Sequence, residues 1–176
     1  MFISITFGQV NHDRKTVKIE TKYGVMVVEL FNETPKHRDN FIKLVSQKYY
    51  DDLLFHRVIN SFMIQGGDPN SRNAQPNQQL GNGGPGYTVP MELDSSLYHK
   101  KGALSAARLP DNMNPTKASS GSQFYIVHGK ALSNGALDQV EGSKDIRYTP
   151  EQRAAYLEKG GYPTLDQEYT VFGKLI

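Results

Sequence analysis

The 176-residue chain contains no cysteine and no tryptophan. Without cysteine there is no disulfide, no thiol nucleophile and no zinc site built on sulfur. This absence leaves the compartment open. Long apolar runs are also missing: none exceeds four residues, against about 20 for a spanning helix, so no membrane span is expected. Neither sign of charge is in excess. Lys and Arg number 20 against 18 Asp and Glu, a formal +2, which by itself points to no nucleic-acid partner. Met1 to Gly8 alternates in polarity but lacks the basic start and apolar stretch of a signal peptide, so cytoplasm and bacterial cell envelope both stay open. The length suits one domain with a sizeable core.

What is present reads mainly as β-structure. Val17–Thr21 and Val25–Phe31, β-branched and joined by Lys22-Tyr23-Gly24, predict a hairpin. A helix follows, with Thr34 as N-cap, Pro35 in the first position, and Phe41, Leu44, Val45 and the stem of Lys48 at helical spacing. Leu53–Ile59, Phe62–Gln65, Gly102–Ala107, Phe124–His128 and Thr170–Ile176 predict five more strands. Many short strands with one early amphipathic helix favour an antiparallel barrel or sandwich. Pro69–Pro90, rich in Asn, Gln, Gly and Pro, predicts a long surface loop. Between Leu132 and Pro163 a polar segment carries its own helix, opened by the capping box Thr149-Pro150-Glu151-Gln152 and closed by Gly160-Gly161. This segment is read as an insertion that decorates the sheet without adding to its core.

Most candidate motifs reduce to structure. Gly81-Asn82-Gly83-Gly84-Pro85-Gly86 satisfies G-x-G-x-x-G, but no apolar strand precedes it and Pro85 interrupts the helix start, so dinucleotide binding is rejected. His12, His37, His56, His99 and His128 show no metal-ligand spacing. The serines stand in no nucleophile elbow and in no convincing Ser, His and Asp set. Asp51-Asp52 reads as a solvated turn. No metal or other cofactor is implied.

Two blocks carry more. In Phe55-His56-Arg57-Val58-Ile59-Asn60-Ser61-Phe62-Met63-Ile64-Gln65-Gly66-Gly67-Asp68, strand alternation puts Met63 and Gln65 on one face, Phe62 at the bend before them and Arg57 on the previous strand. In Gly121-Ser122-Gln123-Phe124-Tyr125-Ile126-Val127-His128-Gly129, Gln123 and Tyr125 share one face and Phe124 and Ile126 the other, one of which is expected to enter the core. Taken singly, a strand Arg snorkels, Phe and Met are core, and His56 and His128 are satisfied structural histidines.

Together with Gly102-Ala103-Leu104-Ser105-Ala106-Ala107, Leu165-Asp166 and Thr170-Val171-Phe172-Gly173-Lys174, these blocks resemble the cyclophilin family of peptidyl-prolyl cis-trans isomerases, in a bacterial-like form. The likeness runs from about Val17 to the end. It makes residues 1–16 an N-terminal extension and 17–176 a cyclophilin-like domain with an inserted segment at about 133–163. The resemblance implies a closed antiparallel eight-stranded barrel with a capping helix, incomplete at the C-terminus because a second capping helix and final strand would follow Ile176. Either the chain is a shortened form, or Phe2–Phe7 pairs at the open edge.

The resemblance further implies Arg57 as the principal catalytic group and Gln65 as its orienting partner. Phe62, Met63, Tyr125 and Leu165 would line a proline pocket, Ala107, Arg108 and Gln123 would hold the substrate backbone, and Tyr169 would close one end. Partners would be proline-containing peptides and folding polypeptides. Arg108, Tyr125, Tyr169 and Thr164 stand where Asn, Phe, His and Trp are frequent. The missing indole is expected to weaken binding of the family's cyclic-peptide inhibitor more than catalysis. Two alternatives compete: a weakly active proline-peptide binding module or holdase, and a scaffold subunit that docks through Pro150–Lys159, a helix more simply read as a solvated face.

Overall fold

The computed structural model describes residues 3–4 and 14–176; the rest of the expected N-terminal extension, His12 included, lies outside the described residues. In chain order the elements are β1 (Ile3–Ser4), β2 (Thr16–Thr21), β3 (Gly24–Leu30), α1 (Pro35–Ser46), β4 (Arg57–Ile59), β5 (Met63–Gly66), β6 (Thr88–Val89), β7 (Ala103–Ala106), β8 (Ser119–Ser120), β9 (Phe124–Val127), α2 (Asn134–Lys144), α3 (Pro150–Glu158) and β10 (Val171–Leu175). Short 3-10 turns stand at Pro69–Ser71 and Pro163–Leu165.

The main sheet is antiparallel throughout, in the order β1-β2-β3-β10-β7-β9-β5-β4, and β6 pairs with β8 apart from it. From β2 to β4 its strands curl into a half-barrel. The antiparallel, mainly β architecture expected from sequence is present as this half-barrel, while the closed eight-stranded barrel is not shown. Closure requires the end strands to pair with each other, and among the described residues β1 and β4 do not. Part of the expected Phe2–Phe7 pairing is present: Ile3 and Ser4 lie opposite Ile19 and Lys18 of β2.

Local chemistry explains the elements that were anticipated. At the β2–β3 turn the Thr21 hydroxyl donates to the Gly24 carbonyl at 3.0 Å and accepts from the Tyr23 amide at 3.1 Å. Gly24, at φ 134°, adopts a conformation that side-chain-bearing residues avoid. Helix α1 begins at Pro35 as expected, but the Thr34 hydroxyl does not cap it and donates to the Val171 carbonyl instead. The capping acceptor is distant in sequence: Glu92 accepts from the amides of Lys36 at 3.1 Å and His37 at 3.0 Å. Lys48 falls beyond the helix, in the left-handed region at φ 56°.

Two apolar clusters lie on opposite faces of the sheet. The larger packs Phe41, Leu44 and Val45 of α1 against Tyr50, Phe124, Ile126 and Phe172, with Phe41 edge-on to Phe124 and Phe172 at 5.3 and 5.4 Å between centroids. Each such side chain contributes about 1.5–3 kcal/mol on burial. The smaller gathers Phe31, Met63, Tyr125, Val127 and Val171. Strand β9 is thus buried on both faces, where one was expected.

The 133–163 segment holds two helices, not one. Helix α2, capped by the Ser133 hydroxyl accepting from the Ala136 amide, was not anticipated. Its glycines 135 and 142 weaken the helical signal. The capping box of α3 is present as read. Leu137 and Tyr156 are fully buried, so the segment has an interior of its own.

Candidate active site

The β4–β5 register sets Arg57 opposite Gln65, so both side chains project from the same face. Arg57 Nη1 donates to Gln65 Oε1 at 3.2 Å, and Gln65 Nε2 donates to Gln123 Oε1 at 3.0 Å. Gln123 Nε2 then donates to the carbonyls of Gly81 and Gly83, both at 2.8 Å. A guanidinium on the exposed edge strand is therefore tied through two amides to the 69–86 loop.

That loop is itself pinned. Buried Asp68 accepts from the Asn70 amide at 2.8 Å and the Gly81 amide at 2.5 Å. A Cβ at Gly83 would sit 2.1 Å from Asp68 Oδ1, so glycine is required there. The glycine run that mimics a dinucleotide motif opens no helix and instead supplies carbonyl acceptors to Gln123.

Beside Arg57 the smaller apolar cluster forms a wall. Of the residues assigned to the site, Phe62, Met63, Ala107, Tyr125, Leu165 and Tyr169 all belong to this cluster or pack against it. The Arg57 guanidinium lies 5.8 Å from the Phe62 ring centroid. Tyr169 stands edge-on to Tyr125 at 6.2 Å. Tyr162, which sequence reasoning missed, packs on Phe62 at 4.3 Å. Its only signal was an aromatic next to Pro163.

At the other end Arg108 lies over the Tyr169 ring at 4.4 Å. Its side chain is only 4 % exposed. Its donors are taken by the carbonyls of Glu168 and Leu109 and by the Asp111 carboxylate. The backbone of Ala107 is also engaged, its amide donating to the Gln123 carbonyl and its carbonyl accepting from Ser120. The side chain of Arg108 is thus a brace for Tyr169, and Glu168 joins it to Lys117.

The sequence model of the family "Cyclophilin type peptidyl-prolyl cis-trans isomerase/CLD" matches residues 16–176. The chain belongs to the cyclophilin family. A Staphylococcus aureus protein named as a peptidyl-prolyl cis-trans isomerase is 40% identical over 164 residues, covering 91% of this chain and 75% of its own. A Streptococcus pyogenes protein named as a bifunctional phosphatase/peptidyl-prolyl cis-trans isomerase is 38% identical over 170 residues. That match covers 94% of this chain but only 32% of the longer protein. Among solved structures, a Cryptosporidium parvum cyclophilin superposes with a TM-score of 0.62 at 28% identity, covering 93% of this chain and 78% of that one. The same protein was also solved in the presence of the dipeptide Ala-Pro; that structure matches with a TM-score of 0.60 at 29% identity, over 92% and 78% of the two chains.

Set in this cyclophilin frame, the remaining titratable groups are mostly structural. His128 Nδ1 accepts from the Ser61 amide at 3.2 Å. His56 departs from the satisfied histidine expected: among the described residues neither ring nitrogen makes a well-aligned hydrogen bond, and burial, opposed by Asp68 and the Leu54 backbone, pulls its pKa down. His37 lies between Glu92 at 2.7 Å and the Ser119 hydroxyl at 2.9 Å, a Ser, His and acid alignment that sequence spacing hid. Ser119 is 1 % exposed, out of a substrate's reach, so the trio braces the start of α1. Thr164, at the position where Trp is frequent, is exposed. Among the described residues no helix is long and apolar enough to cross a membrane.

Proposed function

We propose that this cyclophilin catalyses cis-trans isomerisation of X-Pro bonds in peptides and unfolded polypeptides, with Arg57 as the donor that stabilises the twisted amide. The carrying observation is the Arg57 guanidinium held by Gln65 at 3.2 Å beside the wall of Phe62, Met63 and Tyr125. Rotation about an X-Pro bond faces a barrier of about 18–20 kcal/mol because the C–N bond has partial double-bond character. At the twisted geometry conjugation is lost and the prolyl nitrogen regains a lone pair. A donor aimed at that nitrogen stabilises the transition state more than either planar isomer. Arginine fits this role because it is always charged and its planar fork can be held by an amide. The chemistry needs no nucleophile and no titrating acid.

In this reading Phe62, Met63, Tyr125 and Leu165 seat the pyrrolidine ring, Ala107, Arg108 and Gln123 flank the acyl side, and Tyr169 closes one end. Holding the ring lets binding energy favour the twisted form. With Thr164 exposed and no indole beside the pocket, cyclic-peptide inhibitor is bound weakly.

A charge-assisted hydrogen bond is worth about 1.5–3 kcal/mol, which makes Arg57→Ala slower by about 10- to 150-fold. Exchange NMR on a short Ala-Pro peptide tests this: the variant is expected to keep its fold and bind the peptide while exchange collapses. Wild-type exchange rates in the variant would refute the assignment. Binding without exchange by the parent chain would favour a proline-peptide binding module.

A further inference from the structure

Tyr125 brings a phenol to a position where the family commonly has Phe, and its hydroxyl is not idle. It lies 2.9 Å from His99 Nε2, and the two ring planes are within 13° of parallel with centroids 6.0 Å apart. On the far side of that imidazole, Nδ1 and the His99 backbone amide both reach Asp166 Oδ1 at 2.7 Å. The second carboxylate oxygen accepts from Tyr148 at 2.7 Å and Tyr156 at 2.5 Å. His99 and Asp166 are 0 and 2 % exposed.

The polarity of this chain of bonds follows from its chemistry. The Asp166 carboxyl oxygens accept from the His99 backbone amide and from the Tyr148 and Tyr156 hydroxyls. With the ring hydrogen of His99 on Nδ1, facing Asp166, Nε2 accepts from the Tyr125 hydroxyl. Burial raises the pKa of Tyr125, Tyr148 and Tyr156, so each phenol keeps its proton. The network joins the pocket wall to α3, through Tyr156, and to the α2–α3 connection, through Tyr148.

We propose that Tyr148 and Tyr156 of the 133–163 segment are positioning residues for the proline pocket, acting through Asp166 and His99 to fix the ring of Tyr125. Burying a charge already demands partners; what sets this arrangement apart is that its end point is a side chain of the wall. The inference rests on the isomerase reading for its consequence, while its test also reads peptide affinity, which stands apart from turnover.

The experiment is a double-mutant cycle in the full chain with Tyr156→Phe, Tyr125→Phe and the pair. It measures Ala-Pro peptide affinity by titration, exchange by NMR and the thermal midpoint. Loss of one hydrogen bond of positioning is expected to weaken affinity by about two- to tenfold in Tyr156→Phe. In the Tyr125→Phe background, where the network no longer reaches the wall, Tyr156→Phe is expected to leave affinity unchanged while still lowering the midpoint. Equal effects of Tyr156→Phe on affinity in both backgrounds, or a shift in midpoint alone, would overturn the proposal. If Tyr156→Phe does not fold, Tyr148→Phe, whose hydroxyl is less deeply buried, carries the same comparison. A parent chain that binds the peptide without exchanging it refutes the isomerase reading and leaves the affinity cycle decisive.

Discussion

Replacing Gln65 by Leu removes two hydrogen bonds and no charge. The first, 3.2 Å from Arg57 Nη1, holds the fork proposed as the catalytic donor; the second, 3.0 Å to Gln123, continues to the loop carbonyls of Gly81 and Gly83. An Arg57 released from its acceptor must be ordered anew in each turnover. Immobilising such a side chain costs about 0.5–1.5 kcal/mol, which corresponds to about a 2- to 13-fold loss in kcat/KM. The lost amide contact to Gln123 is a neutral hydrogen bond worth about 0.5–1.5 kcal/mol, lowering Tm by about 1–6 °C in a chain of this size. Protease-coupled turnover and calorimetry on Gln65→Leu, Arg57→Ala and the double variant measure both effects. Because Gln65 acts through Arg57, the substitution should add nothing to the kinetic loss of Arg57→Ala. A full additional loss in the double variant would show that Gln65 meets the substrate directly.

Three further outcomes follow from the packing. Glu92→Ala removes the acceptor for two N-terminal amides of α1 and for His37; a loss of about 1–2 kcal/mol is expected by denaturant titration, with activity kept well below the melting temperature. Gly67 has φ 90°, and a Cβ there would sit 2.2 Å from the Ser122 carbonyl oxygen. Gly67→Ala should therefore cost about 2–5 kcal/mol through strain and overpacking, and a near-wild-type denaturation midpoint would contradict the geometry. Burial, opposed by Glu92, lowers the pKa of His37. Between its folded value and the unfolded value of about 6.5, the unfolded chain binds the extra proton, so stability is full above that range and falls with pH by at most about 1.4 kcal/mol per unit. Unfolding at pH 7.5 and 5.5 should show a smaller pH loss for His37→Gln than for the parent; equal losses would remove His37 as the cause.

The elements legible in the sequence were those whose cause is local. The β2–β3 hairpin, the start of α1 at Pro35 and the capping box of α3 each rest on groups within a few residues of one another. The Arg57, Gln65 and Tyr125 set was legible through its motifs, and strand alternation placed Met63 and Gln65 together. The residues that escaped notice act across long separations. Glu92 caps a helix 55 residues away and Asp166 meets His99 across 67; no spacing rule links such pairs. Helix α2 was hidden because its glycines carry no helical signal and its stability comes from burying Leu137.

Composition and pattern alone set the bounds for these 176 residues: no cysteine, no apolar run longer than four residues and a formal charge of only +2. They also settled the β2–β3 hairpin and the segments that hold β4, β5, β7, β9 and β10, though not β6 or β8, since alternation and turn chemistry are properties of neighbouring residues. Tertiary structure decided the rest. It curled the sheet into a half-barrel, buried β9 on both faces, gave the glycine run its role as acceptor for Gln123, and gathered His99, Asp166 and three tyrosines behind the smaller apolar cluster. Those outcomes depend on which distant groups come within hydrogen-bonding or packing distance, and that is set only when the chain closes on itself.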